Sequence, residues 1–310
     1  MENAPYFAEI CDGPKTGYAL WHTATDGVRL RIGFWPLETA KATVLIFTGR
    51  TEYIEKYAHV AADFNAAGYA VATLDWRGQG LSDRLMDSPY RGHIGSFQDY
   101  QKDVDALLEA VKSEGLPAPI AILAHSMGGC IGLRSLINKV PVKGAIFSAP
   151  MWGILMSPAL RPVAWTLSRL ARMIGAGTRL SPGTTERSFV LNDPFEDNTL
   201  TRDLQMWQMM GHQVKTQPGL ELGGPSFDWL REALDECKAL MQAPAPDLPT
   251  LTFLGDNERI VDARAVHQKM SQWSAGTLRM VENAEHEVFM EVPETRVQLT
   301  KEAVAFLDSL

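Results

Sequence analysis

Residues 120–134 read Ile120-Ala-Ile-Leu-Ala-His-Ser126-Met-Gly-Gly-Cys-Ile-Gly-Leu-Arg134, and the periodicity changes within two residues of the serine. Ile120–Ala124 is a short unbroken apolar run, the pattern of a strand covered on both faces. Met127–Asn138 reads as a helix. Ser126 sits between them, with Ala124 two residues before and Gly128 two residues after. A strand that passes straight into a helix needs small residues there, because the backbone turns so tightly. Such a turn presents the serine hydroxyl above the carboxyl edge of a parallel sheet, where α/β proteins bind their ligands. Alanine at 124 stands where glycine is usual, so this string by itself is also compatible with an ordinary strand-to-helix turn.

Outward from this segment the alternation repeats. Thr43–Thr48 and Tyr69–Leu74 are earlier buried strands, with a helix near 57–67 stopped by Gly68 and an amphipathic helix near 97–113. Gly144–Ala149 follows as another strand. Strands alternating with helices imply right-handed crossovers and an α/β fold with a mostly parallel, doubly wound sheet. Tyr18–His22 and Val28–Trp35, joined at Asp26-Gly27, predict an N-terminal antiparallel hairpin. From 151 to 245 the rhythm breaks into helical stretches rich in Met, Trp, Leu, Pro and Gly. It resumes after Pro244-Ala-Pro246 with strands Thr250–Leu254 and Thr277–Val281 and helices near 263–273 and 294–307. The expected organisation is a core of residues 1–150 and 246–310 carrying a helical cap, or lid, at 151–245.

The bulk numbers narrow the function. The 310 residues are 45% hydrophobic and 21% charged, ordinary for a globular enzyme, and the formal net charge is −8. An acidic balance argues against a general affinity for nucleic acid. Cys11, Cys130 and Cys237 are widely spaced and odd in number, so neither a disulfide framework nor a zinc site is expected. The histidines show no metal-ligand spacing, and no metal or organic cofactor is implied. With no basic segment leading into an apolar core at the start, a cytoplasmic location is expected, and peripheral contact with a membrane surface stays open. Nothing indicates an oligomeric state.

A serine hydroxyl becomes a useful nucleophile only beside a base that a carboxylate orients. The sequence supplies both in order. Gly255-Asp-Asn-Glu-Arg-Ile-Val-Asp262 follows one predicted strand, and Glu282-Asn-Ala-Glu-His286-Glu-Val-Phe-Met290 follows the next. Ser, acid and His, each at the carboxyl end of a strand, is the order of the α/β-hydrolase fold. Either Glu258 or Asp256 can serve as the acid, whereas Asp262 falls at a helix start and reads as an N-cap.

Several motifs in the same order resemble the monoacylglycerol lipase and lysophospholipase branch of the α/β-hydrolases, and within it the bacterial lysophospholipase L2 type. They are FTGRTEYIEKY (47–57), DWRGQGLSD (75–83), RGHIGSFQDYQKDV (91–104), AHSMGG (124–129), LGDNERIVD (254–262) and AEHEVFME (284–291). The resemblance implies Ser126 as nucleophile and His286 as base. Glu258 falls at the place of the family's catalytic Asp, followed by Arg259 as in the family's Asp-Arg pair. It further implies an oxyanion hole from two backbone N–H groups, those of Met127 and Arg50. Thr48-Gly49-Arg50 replaces the family's usual His-Gly, a departure in side chain that need not remove a backbone donor.

The remaining residues have plainer readings. The glycines of Asp75-Trp-Arg-Gly-Gln-Gly80 suit a structural loop beside the site, His125 packs beneath the turn, and Cys130 is core. Glu52 and Lys56, spaced i and i+4, read as a pair on a surface helix. Gly49, Met151 and Trp152 are expected in the substrate wall, and the methionines and aromatics of the cap suit a loosely fitted acyl chain. Arg50, Arg77, Arg84 and Arg91 can place positive charge near the mouth, with surface solvation as their ordinary role. The function expected is hydrolysis of a lipophilic acyl ester such as a lysophospholipid or a monoacylglycerol. Related hydrolases of small esters or amides, and a catalytically degenerate binding protein, are the alternatives.

Overall fold

The β4 strand (Thr43–Phe47) shows how the sheet is built. Val44 and Ile46 pack on one face and Leu45 and Phe47 on the other, and all four are fully buried. A chain with no solvated face has to be covered by helices on both sides, which is what the apolar run requires. In the computed structural model, which describes residues 2–157 and 160–310, the neighbouring strands repeat the pattern.

Before β4 come β1 (Glu2–Ala4), β2 (Tyr18–Thr23) and β3 (Arg29–Trp35), all antiparallel. The β2–β3 turn closes at Gly27, whose φ of 88° explains the glycine. After β4 follow α1 (Ala58–Ala66), β5 (Ala70–Leu74), α2 (Tyr100–Ser113), β6 (Pro119–His125), α3 (Met127–Ile137) and β7 (Gly144–Ser148). The helices α4 (Leu160–Met173), α5 (Phe189–Asn192), α6 (Leu204–Thr216) and α7 (Phe227–Gln242) occupy the long stretch before β8 (Thr250–Gly255). Then come α8 (Ala263–Ser271), β9 (Gly276–Val281) and α9 (Pro293–Asp308). The nine strands among the described residues run β1-β2-β3-β5-β4-β6-β7-β8-β9, parallel from β5 onward, with β3 antiparallel to β5. This is the α/β-hydrolase arrangement. The short first strand β1, only three residues long, carried no pattern in the sequence.

Helices cover both faces. Leu107 of α2, Ile131 of α3, Trp229 of α7 and Val266 of α8 join one apolar cluster, and Phe64 of α1 with Leu299 and Ala303 of α9 join the other. α7 therefore packs on the sheet side, against α3, while α4 lies against α7. Residues Pro158 and Ala159 of the expected cap fall outside the described residues.

Candidate active site

The strand order changes direction at β4, whose successor β5 pairs on one side while β6 pairs on the other. Loops leaving the carboxyl ends of β4 and β6 diverge there, opening a crevice. The register pairs Phe47 with Ala124, so the loop at 48–53 and the turn at Ser126 are neighbours. On the other side Gly255 pairs with Val281, which sets the loop with Glu258 beside the loop with His286. Four loops thus converge above one edge of the sheet.

Ser126 has φ 50° and ψ −117°, a conformation L residues avoid. It is held there: its N–H donates to Ser148 O at 3.0 Å, and its own carbonyl accepts from Gly129 at 2.9 Å and Met151 at 2.8 Å. A Cβ on Gly128 would lie 2.1 Å from Phe47 O, so the turn admits only glycine at that position. At 124 the methyl finds room because residue 132 is also glycine, and a Cβ there would stand 3.1 Å from that methyl. Met127 opens α3, where the first N–H groups of a helix have no intrahelical acceptor and face positive dipole outward.

His286 Nδ1 lies 2.7 Å from Glu258 Oε2, with both side chains almost fully buried. The other carboxylate oxygen of Glu258 accepts from Ile260 N at 2.6 Å and Val261 N at 2.9 Å. Burial by itself would raise the pKa of this carboxyl, but His286 and these N–H donors outweigh it and hold Glu258 below the usual range. Asp256, the competing acid, is exposed at the surface. Asp262 caps α8, accepting from Arg264 N at 3.2 Å.

Glu52 and Lys56 correct the sequence reading, because neither is on the surface. Both are buried in a network beneath the site. Lys56 Nζ donates to Glu52 Oε1 at 2.5 Å and to Glu287 Oε1 at 2.6 Å. Glu52 Oε2 accepts from Tyr57 Oη at 2.7 Å and from the Gly49 amide. His125 Nε2 stands 3.3 Å from Glu287 Oε2, and its Nδ1 lies 3.0 Å from Ser148 O. Burial opposes charge on Glu287, yet His125 and Lys56 hold it well below the ordinary carboxylate range. Ligand atoms of Glu52, His125 and Glu287 lie within 4.8 Å of one another, as a cation would need, but the Lys56 ammonium already bridges both carboxylates. The sequence signal was the dense FTGRTEYIEKY string, which the helical spacing alone misassigned.

Ser126, His286, Arg50 and Met151 line one cavity of about 350 Å³. Phe189, Val190, Leu200 and Met210 close it from the 151–245 segment. Thr199 and Leu200 are tied to the histidine loop, their carbonyls accepting from His286 N and Glu287 N at 3.3 and 2.8 Å. Trp152, expected in this wall, is instead fully buried against Phe147 and Trp273, with its indole N–H on Gly129 O at 3.1 Å. Gly49 is buried behind the wall, its amide on Glu52 and no space for a Cβ between Glu52 and His125. Of the four arginines considered for the mouth, only Arg50 lines the cavity. Arg77 is locked to Asp103 and Asp26, Arg91 to Glu186, and Arg84 to backbone carbonyls.

An α/β sheet carrying a strained serine between strand and helix, with a carboxylate-bound histidine in the same cavity, defines a serine hydrolase of the α/β-hydrolase fold. The chain belongs to the family described as serine aminopeptidase, S33 (Hydrolase_4), whose pattern matches residues 38–293. It is similar to lysophospholipase L2 of Escherichia coli (strain K12), with 30% identity over 310 residues covering 94% of this chain and 88% of that protein. It is also similar to the monoglyceride lipase of Rattus norvegicus, at 26% identity covering 87% and 83%. A soluble variant of monoglyceride lipase from Saccharomyces cerevisiae, solved with a substrate analogue, shares the fold with a TM-score of 0.71 at 20% identity over 99% of each chain. Among the described residues, no helix is long and apolar enough to cross a membrane.

Proposed function

We propose that this protein hydrolyses carboxylic esters of lipophilic acyl groups, with Ser126 as nucleophile, His286 as general base and Glu258 as the acid that orients it. The observation that carries the reading is the single cavity lined by Ser126 and His286, with His286 Nδ1 bound to Glu258. That bond selects the tautomer whose Nε2 accepts the Ser126 proton as Oγ attacks the acyl carbon. The alkoxide of the tetrahedral intermediate would be met by the Met127 and Arg50 N–H groups. The leaving alcohol takes the proton from His286, and water then hydrolyses the acyl-enzyme by the same steps reversed. Glu replaces Asp in this role because the geometry requires only a carboxylate that reaches Nδ1.

Met151, Phe189, Val190, Leu200 and Met210 give the cavity a flexible apolar wall, which suits an acyl chain. The 151–245 segment supplies all of these side chains and acts as the lid. Val163, Leu167, Leu170 and Met173 leave an exposed apolar stripe on α4, which supports peripheral contact with a lipid surface. Relatives that are lysophospholipases and monoglyceride lipases support a lipid ester as substrate. Peptide cleavage from a free amino terminus is less well served. The carboxylates lining the cavity are those of Glu52 and Glu287, and Lys56 engages both.

The test is hydrolysis of p-nitrophenyl esters from acetyl to palmitoyl by wild type and Ser126→Ala. Activity should peak at medium or long chains and vanish in the variant. Preference for acetyl would remove the lipophilic acyl group from the reading, and activity surviving Ser126→Ala would remove the nucleophile.

A further inference from the structure

Arg50 is a charged side chain whose place the ester chemistry does not explain. It lines the reaction cavity, yet no carboxylate among the described residues lies within ion-pair distance of it. Its Nη1 donates to Gly223 O at 2.7 Å, and its guanidinium sits 5.5 Å from the Trp229 ring centre. The other donors of the fork have no acceptor among the described residues. Burial pushes the guanidinium down to about 10, so it stays charged at neutral pH at a cost in desolvation.

A second hollow of about 250 Å³ adjoins the first, and Arg50, Thr51 and Phe189 line both. Its character is different. Thr184, Thr185, Arg187 and Asn192 line it with the backbone of Gly223 and Gly224, where a Cβ would strike residues 184–186. Arg187 is exposed and, among the described residues, makes one ion pair, with Glu221 at 3.4 Å. An apolar cavity and a polar hollow holding a second guanidinium thus share a wall that includes the Arg50 guanidinium.

We propose that the hollow beyond Arg50 is a head-group subsite for a phosphodiester, in which Arg50 and Arg187 hold the phosphate while the acyl ester lies at Ser126. Guanidinium forks match phosphate oxygens in geometry as well as charge. Asp193 also lines the hollow, and its carboxylate suits a head group that carries an ammonium beyond its phosphate. The proposal rests on the ester-hydrolase reading and chooses lysophospholipid over monoacylglycerol within it.

The experiment compares kcat/KM for 1-oleoyl lysophosphatidylcholine and 1-oleoylglycerol in wild type, Arg50→Met, Arg50→Lys and Arg187→Gln. The ratio of lysophospholipid to monoacylglycerol should fall about tenfold or more in Arg50→Met and by a smaller factor in Arg187→Gln, and Arg50→Lys should recover part of it. Should Arg50→Met fail to fold, Arg187→Gln still decides, since its side chain is on the surface. Glycerophosphocholine, which has no carboxylic ester, should also compete with p-nitrophenyl butyrate in wild type and less well in Arg187→Gln. Unmoved ratios in folded variants, or no competition by glycerophosphocholine, overturn the subsite while leaving the hydrolase intact. A wild type inactive on every ester removes the hydrolase reading and the subsite with it.

Discussion

Lys56 Nζ lies 2.6 Å from Glu287 Oε1, joining the loop after β4 to the residue that follows His286 across 231 positions of sequence. The same ammonium holds Glu52, whose other oxygen takes the Gly49 amide. One buried cation therefore ties the backbone next to Arg50 to the backbone next to His286. Lys56→Met should leave two buried carboxylates with one cation fewer, at a cost of about 3–5 kcal/mol. Urea unfolding measures this, and Lys56→Met with Glu287→Gln should recover part of the loss. A double variant no more stable than the single one would mean that charge is not the cause.

The two candidate acids separate by substitution. Glu258→Gln keeps the shape but cannot hold the His286 tautomer, so kcat should fall roughly a thousandfold or more with KM little changed. Asp256→Asn, at an exposed position, should leave kcat/KM within about a factor of three. Reversal of these two results would assign the acid to Asp256.

Acid stability follows from the same pair. Glu258 has a lower folded value than its ordinary 4.5, because His286 and two N–H donors outweigh the effect of burial. The folded state then binds fewer protons than the unfolded chain in that range. Its contribution to stability is present above 4.5 and is lost as pH falls through the folded value. Urea midpoints measured downward from pH 5 should decline less steeply in Glu258→Gln than in wild type, and parallel slopes would rule out this source.

The serine turn yields a paired prediction. Gly128→Ala forces a Cβ against Phe47 O, which is backbone and cannot swing aside, so the variant should lose about 3 kcal/mol or more and resist fluorophosphonate labelling. Ala124→Gly restores the usual glycine at the price of a small void near Gly132 and more chain entropy. It should stay labelled and lose about 1 kcal/mol. Equal labelling of both would mean that the close approach is relieved by movement.

Local pattern made most of the core fold legible. Buried parallel strands such as Thr43–Phe47 need unbroken apolar runs, a strand-to-helix turn needs small residues around Ser126, and both are contiguous in sequence. The three-residue β1 escaped because pairing with β2, not its own composition, makes it a strand. In the candidate site, Ser126 and His286 stood out through position after strands, and Glu258 through its place in LGDNERIVD. Trp152 was misread because an aromatic at the start of the cap segment looks the same whether it faces a substrate or, as here, the core against α3.

Sequence by itself determined which residue types stand at the ends of which strands, because strand and turn propensities act over a few residues. Only the tertiary structure decided which of them meet. The β8–β9 register brings the two loops together, and past it Glu258 is turned inward onto His286 while Asp256 is left exposed. Glu52 and Lys56, four residues apart like any surface pair, are buried because a third partner, Glu287, arrives from the far end of the chain. Charge is tolerated inside a protein only when all its partners are present, and partners that distant become neighbours only through the packed sheet.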